Sequence, residues 1–281
     1  MRRDLNQAES TGLSDRAFKR LSAYIERELG IRMPDTKRIM LESRLQKRLR
    51  LLGIASYDEY IDFVFSADGQ PELVHMIDAV TTNKTDFFRE PDHFAVLTSR
   101  LIPKLQEAKP GIMSFWSAGC ATGEEPYTLA IVLEEYAEAH PGFAYSILAT
   151  DISTRALDKA VCAVYEAERI ADVPLATKHK YFLRSRRADL NEVRLKPAIR
   201  DRVRFARLNL MDESYPFDQS FDVVFCRNVI IYFDRPTQER LLGRMCRYLR
   251  QGGNLILGHS ETLTGMNLPL RSLAPTVYER L

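Results

Sequence analysis

Between Ser114 and Thr128 the chain reads Ser-Phe-Trp-Ser-Ala-Gly-Cys-Ala-Thr-Gly-Glu-Glu-Pro-Tyr-Thr. An apolar run ends in Gly119, a second glycine follows at Gly123, and an amphipathic segment then begins. This is the order strand, tight turn, helix. Glycine tolerates positive φ and leaves room for a ligand to approach the backbone. Glu124 and Glu125 fall where acidic side chains favour a helix N-terminus, and Pro126 is tolerated in a first turn. A turn after a first parallel strand is where α/β folds bind nucleotides. The G-x-x-x-G spacing is neither a dinucleotide fingerprint nor a phosphate loop, and two carboxylates at the helix start would repel a pyrophosphate. A cofactor with a neutral or cationic body fits better, with S-adenosylmethionine leading. The alternative is a purely structural strand–helix corner.

Three further stretches could complete such a site. Tyr145 to Asp151 reads as a second buried strand ending in an acid, placed to accept from ribose hydroxyls or to cap the following helix. Phe221 to Asn228 is a β-branched central strand that delivers Arg227 and Asn228 to its C-terminal end, and Asn209 ends another strand, where its amide could read an adenine edge. Thr81 to Pro91 crowds hydroxyls, an amide and an arginine around Phe87 and Phe88. Helix capping explains part of that segment, and a site on a loop between modules explains the rest.

The elements that must position these residues follow from periodicity. Residues up to about Gly12 are polar and read as disordered. Four short helices are expected next: from a Leu13-Ser14-Asp15 cap to Gly30, from Pro34 to about Gly53 with Leu41, Leu45, Leu49 and Leu52 on one stripe, after a Ser56 cap, and from Pro71. Together they make an all-α module. A helix over 93–108 should break at Lys109-Pro110-Gly111 ahead of the first strand. Helices are also expected from Glu124 to about His140, Ser153 to Val164, and Pro236 to Arg250, the last stopped by Gly252-Gly253. Tyr181 to Arg187 and Glu192 to Lys196 read as a small antiparallel insertion. Asn254–Gly258 and Thr276–Arg280 read as a final antiparallel pair. The fold class expected is α/β: a Rossmann-like sheet with helices on both faces, an N-terminal all-α module and a small antiparallel β insertion. The expected domains are 13–88 (helical) and 89–281 (cofactor-binding), with the inserted sub-domain at about 178–200.

Composition bounds the function. A length of 281 residues, 45% hydrophobic and 28% charged, is ordinary for a soluble protein, and a net charge of +2 argues against non-specific nucleic-acid binding. Four cysteines without CxxC pairing and five scattered histidines suggest neither a disulfide framework nor a metal site. No apolar run suggests a membrane span or signal peptide, so a cytoplasmic monomer is expected. The second helix carries Lys37, Arg38, Arg44, Lys47, Arg48 and Arg50 against Glu42. Lys37, Arg44 and Arg48 share a face, which is either solvated or a docking stripe for an acidic partner.

Asn83-Lys-Thr-Asp-Phe-Phe-Arg89, Ser117-Ala-Gly-Cys-Ala-Thr-Gly-Glu-Glu-Pro-Tyr127, Ala149-Thr-Asp-Ile152 and Phe225-Cys-Arg-Asn-Val-Ile-Ile-Tyr-Phe233 occur in that order. Together they closely resemble the CheR family of chemoreceptor glutamate methyltransferases, from about Leu13 onward. The resemblance implies S-adenosylmethionine-dependent methylation of glutamates on the cytoplasmic helical bundle of chemoreceptors, with S-adenosylhomocysteine as product. Asn83, Thr85 and Arg89 match the family's linker contacts to cofactor. Glu125 and Asp151 match contacts to its amino-acid part and ribose, Asn209 and Leu210 the adenine-side pair, and Arg227 and Asn228 the contacts after the central strand. Arg89 and Tyr232 match the side chains near the transferred methyl. Members that tether to a receptor's C-terminal pentapeptide do so through the inserted sub-domain. Arg194 matches their arginine, but Ser185 and Arg187 stand where they carry glycine, so direct recognition of the bundle is expected. With the family in view, the basic second helix becomes the expected groove for acidic receptor helices.

The chemistry suits those residue types. A glutamate carboxylate is ionised near neutral pH and needs no general base. The enzyme must align oxygen, methyl carbon and sulfonium sulfur in line. The competing readings are a methyltransferase for another substrate and a non-catalytic cofactor sensor. A base-methylating enzyme would carry an Asn/Asp-Pro-Pro-aromatic motif, which Cys226-Arg-Asn-Val does not supply. His259-Ser260-Glu261 reads as a strand-end turn.

Overall fold

The computed structural model describes residues 12–108, 111–187 and 189–281. The expected disorder ahead of Gly12 and the break at Lys109-Pro110 lie outside the described residues. The chain divides into two compact units, residues 1–82 and 83–281.

The first unit holds α1 (Asp15–Leu29), α2 (Arg38–Leu52), α3 (Tyr57–Val64) and α4 (Gln70–Val80). Ser14 and Ser56 accept from Ala17 and Glu59 N–H, and so fix the starts of α1 and α3. Leu21, Ile25, Leu41, Leu45, Tyr60 and Met76 are all buried. The expected leucine stripe of α2 is one residue too long: Leu41, Leu45 and Leu49 are buried, but Leu52 is 40% exposed.

The second unit continues with α5 (Asp92–Val96), a π-turn at Leu97–Leu101, and α6 (Ile102–Ala108). Then come β1 (Ile112–Ala118), α7 (Glu124–Ala139), β2 (Ala144–Asp151) and α8 (Thr154–Cys162). The insertion comprises β3 (Val164–Glu166), α9 (Leu175–Tyr181), β4 (Phe182–Arg184), β5 (Glu192–Leu195) and α10 (Pro197–Arg200). The main sheet resumes with β6 (Val203–Arg207), β7 (Phe221–Cys226), α11 (Arg235–Tyr248), β8 (Leu249–Leu257), β9 (Leu270–Ala274) and β10 (Val277–Arg280). Phe87, which the sequence reading assigned to the helical domain, lies in this unit and packs edge-on against Tyr165 and Phe182.

The main sheet runs β6-β2-β1-β7-β8-β10-β9, parallel through β8, with β10 antiparallel to both neighbours. Side-chain alternation sorts its two faces. Phe115, Val223 and Phe225 pack into one cluster with Leu129 and Leu133 of α7. Trp116, Val224 and Cys226 pack into the other with Leu241, Leu242 and Met245 of α11.

Four local expectations are corrected. Val164 opens β3 rather than ending a helix, so the inserted sheet has three strands in the order β3-β5-β4. The last long helix ends at Tyr248 and β8 starts at once, so Gly252 and Gly253 lie inside the strand, beside a register shift in its pairing with β7. The first strand of the second half ends at Arg207, leaving Asn209 in the loop beyond it. The sheet's final edge is β9, and β10 lies inside it. Among the described residues, no helix is long and apolar enough to cross a membrane.

Candidate active site

The loops after β1, β2 and β7 all open at the C-terminal end of the parallel sheet, the end where such folds place ligands. After β1 the backbone doubles back at Gly119 (φ 75°) and Gly123 (φ 97°). Their lack of a Cβ serves packing within the protein. An added Cβ would stand 2.6 Å from Val229 Cγ2 at Gly119, and 2.8 Å from Ala160 Cβ at Gly123. The expectation that both glycines leave room for a ligand is corrected to this extent: protein atoms fill the space.

Asp151, at the end of β2, binds the turn. One carboxylate oxygen accepts from Ala121 N–H at 2.8 Å and the other from Ser153 N–H at 2.9 Å. The cap of α8 is Ser153, whose hydroxyl accepts from Ala156 N–H, so Asp151 is not the helix cap. Asn83 donates to Ser153 Oγ at 3.3 Å, which brings the start of the linker beside this acid.

The linker 83–91 is held by a pair that no motif or spacing announces. Glu124 is fully buried, accepts from Thr122 Oγ1 at 2.6 Å, and pairs with Arg169 at 2.7 Å. Arg169 in turn holds Asp86 at 2.9 Å and the carbonyl of Thr85. Phe88 N–H donates to Thr128 Oγ1 on α7 at 3.0 Å, and both Phe88 and Glu90 adopt positive φ. Thr85 is buried, whereas the Arg89 side chain stays one-third exposed, with Nη1 3.4 Å from the Lys84 carbonyl.

The centre of the site is Arg227, just beyond β7, with a side chain only 2% exposed. Nη1 meets Glu125 at 3.2 Å and Nη2 meets Glu90 at 3.1 Å, and Nη2 also donates to the Arg89 carbonyl. Its Nε is buried without a partner among the described residues. Ser117 donates to the other oxygen of Glu125 at 2.7 Å. Burial lifts the Glu125 carboxyl above its ordinary range, despite the nearby Arg227 charge. At Glu90 burial also pushes upward, but Arg227 and the hydrogen bonds from Asn228 and the His259 backbone outweigh it, leaving the carboxyl below its ordinary range. With both acids ionised, the Glu125–Arg227–Glu90 trio carries one net negative charge.

Asn228 takes φ 58° and donates through Nδ2 to Glu90 at 3.2 Å. Its backbone N–H, with those of Ile230 and Gly258, donates to the buried carboxylate of Glu261 at 2.8, 2.9 and 2.6 Å. Glu261 therefore shapes the loop after β7 from the turn after β8, a role hidden in what reads as a mere strand-end turn. Tyr232 lies half-buried in the short 3-10 turn Ile230–Tyr232 of that loop. Asn209 accepts from Met211 N–H at 3.0 Å, and the Leu210 carbonyl accepts from Tyr215 and Arg244.

In the first unit the residues expected to dock a partner have internal work. Arg48 forms a two-pronged pair with buried Glu72 at 2.8 and 2.5 Å, and Tyr60 donates to the same carboxylate at 2.9 Å. Arg44 donates to the Val80 carbonyl at 2.5 Å and to Thr82 Oγ1 at 2.9 Å, and Lys37 to the Arg32 carbonyl at 2.8 Å. The exposed residues of α2 are Ile39, Ser43, Gln46, Lys47, Arg50, Leu51 and Leu52.

A parallel sheet closed by an antiparallel strand, with a glycine turn after β1 and an acid ending β2, defines an S-adenosylmethionine-dependent methyltransferase. Comparison with known proteins is specific. The family described as "CheR methyltransferase, SAM binding domain" matches residues 83–278, and "CheR methyltransferase, all-alpha domain" matches residues 16–81. The chain is 39% identical to a chemotaxis protein methyltransferase of Borreliella burgdorferi, covering 94% of this chain and 93% of that protein. It is 35% identical to the one from Escherichia coli, covering 98% and 94%. The chain belongs to the CheR methyltransferase family, and its cofactor is S-adenosylmethionine.

Proposed function

We propose that this methyltransferase forms methyl esters on glutamate side chains of the cytoplasmic helices of chemoreceptors, as an adaptation step of chemotaxis. The observation that carries the reading is the buried Glu125–Arg227–Glu90 trio, which joins the segments after β1 and β7 to the linker and, with both acids ionised, carries one net negative charge that suits a cofactor that is itself a net cation. The names of the relatives, chemotaxis protein methyltransferases, support the chemotactic setting.

In this reading Glu125 holds the cofactor's ammonium, and Arg227, with its unpartnered Nε, sits beside the amino-acid end together with Asn228. Asp151 accepts from the ribose hydroxyls, while Asn209 and Leu210 flank the adenine. Asn83 and Thr85 close the linker over it, and Gly119 shapes the turn beneath. The bound cofactor supplies an electrophilic methyl on a sulfonium. The chain's own residues have only to orient the incoming carboxylate and exclude water. Arg89, partly exposed at the linker's end, and Tyr232 take the orienting role. Joining an anion to a cation destroys both charges, so a tight ion pair with the substrate carboxylate would retard the step. An arginine that keeps part of its hydration suits that requirement.

Residues 13–88 are proposed to engage the receptor bundle and 89–281 to perform the transfer, in a cytoplasmic, monomeric enzyme without a pentapeptide tether. Docking is assigned to α2. Because Arg44 and Arg48 serve the unit itself, Lys47 and Arg50 are the cations that reach outward, with Lys37 at the helix start.

The test is transfer of radiolabelled methyl to chemoreceptor-containing membranes, followed by base-labile release. Label that Arg89→Ala reduces at least about a hundredfold, well beyond any accompanying loss of calorimetric cofactor binding, is the expected result. Base-stable label would reject a carboxyl ester, and full activity in the variant would remove Arg89 from its role.

A further inference from the structure

Glu90, His93 and His259 place their ligand atoms within 4.8 Å of one another. His93 Nε2 lies 2.8 Å from the Thr276 hydroxyl, which is also 2.8 Å from the Pro275 carbonyl. In the tautomer that has Thr276 donate to that carbonyl, Nε2 carries the ring proton and Nδ1 a bare lone pair. That atom is buried on a side chain only 3% exposed, has no hydrogen-bond partner among the described residues, and lies 3.5 Å from Glu90 Oε2. In that tautomer Nδ1 and the Glu90 carboxylate are two acceptors 3.5 Å apart, an arrangement that a cation resolves.

The spacing suits a metal. Ligands about 2.0–2.1 Å from a tetrahedral Zn2+ lie roughly 3.3 Å apart, close to the observed Nδ1–Oε2 separation. The second shell is present as well. Thr276 holds His93 Nε2 at 2.8 Å, and Asn228 and the His259 backbone N–H orient Glu90 at 3.2 Å each. The His259 ring meets His93 edge-on with centroids 4.9 Å apart, and its exposure leaves the cluster an opening to solvent.

We propose that Glu90, His93 and His259 form a three-ligand site for a borderline divalent metal such as Zn2+, with water in the fourth position. Glu90 Oε2 also accepts from Arg227 at 3.1 Å and from the His259 N–H at 3.2 Å, so a metal would share that oxygen with two donors, and the site is weaker than a closed structural zinc centre. This inference does not depend on the identity of the methyl acceptor.

The experiment is equilibrium dialysis of the full chain against buffered Zn2+, in a Cys162→Ser background because Cys162 is an exposed thiol. One Zn2+ per chain is expected, with affinity reduced about tenfold or more by His259→Ala and unchanged by His179→Ala. His259→Cys, which supplies a thiolate at the same place, should restore it. Equal affinities in the His259→Ala and His179→Ala proteins, failure of the cysteine to rescue, or binding of less than one Zn2+ would overturn the assignment.

Discussion

Gly119 shows how little room the site's framework leaves. Its φ of 75° already disfavours any side chain, and a methyl there would stand 2.6 Å from Val229 Cγ2. Gly119→Ala should therefore destabilise the second unit by about 2–3 kcal/mol, the sum of an overpacking and a left-handed backbone penalty. Calorimetric unfolding reads this directly. Val229→Ala in the same chain should recover the steric part and leave the backbone part, whereas an unchanged transition in the single variant would show that the turn yields freely. Arg227 is the opposite kind of residue, fixed by charge rather than by space. It joins Glu125 after β1 to Glu90 and the Arg89 carbonyl in the linker, so one guanidinium ties two other segments to the loop after β7.

At the scale of elements, α2 and α4 are joined by the Arg48–Glu72 pair under the Tyr60 hydroxyl. Burial pushes the Glu72 carboxyl upward, but the hydrogen bonds from Arg48 and Tyr60 outweigh it, so the group ends below its ordinary 4.5. A carboxyl depressed on folding contributes stability above its unfolded pKa and loses it as pH falls through the lower folded value. The first unit should thus lose stability on acidification below about pH 4.5. Arg48→Ala, which strands a buried carboxylate, should cost about 3 kcal/mol at pH 7. Unpaired, the buried Glu72 carboxyl should rise above its unfolded value, and the deficit should shrink toward pH 3. Denaturant melts across pH measure both, and a pH-independent deficit would contradict the pairing. Elements such as these were largely legible beforehand, because Ser14, Ser56, Gly30 and the alternation of Phe115 and Trp116 are local signals. β3 and β9 were not legible: Val164-Tyr-Glu and Leu270-Arg-Ser are too short to show a period, and only their partners make them strands. The positions of the four motifs could be read from the chain, but what binds them together could not. Arg169 reaches Glu124 across 45 residues and Glu261 reaches Asn228 across 33, and no spacing rule announces either contact.

For the whole molecule, the division at residue 82 predicts a separation of labour. Residues 83–281 alone should bind S-adenosylmethionine with the affinity of the full chain yet methylate receptor membranes far more slowly. Lys47→Glu with Arg50→Glu in the full chain should reproduce that split at low salt, when exposed charges are least screened. Calorimetry and methyl transfer run side by side would refute it if cofactor binding fell with the substitutions, or if transfer stayed intact in both. The sheet order carries a consequence of another kind. Trp116 of β1 pairs with Val224 of β7, so 108 residues separate two strands that lie side by side at the centre. At a synthesis rate of about 10 residues per second, β1 has left the ribosome for roughly ten seconds before its inner neighbour exists. During that interval β2 can cover only one of its edges, and the other presents unpaired amides between Phe115 and Ser117. The time taken to translate residues 117–223, the inserted β sub-domain among them, therefore bounds how long a nascent chain stays open to adding a strand from its neighbour on the same message.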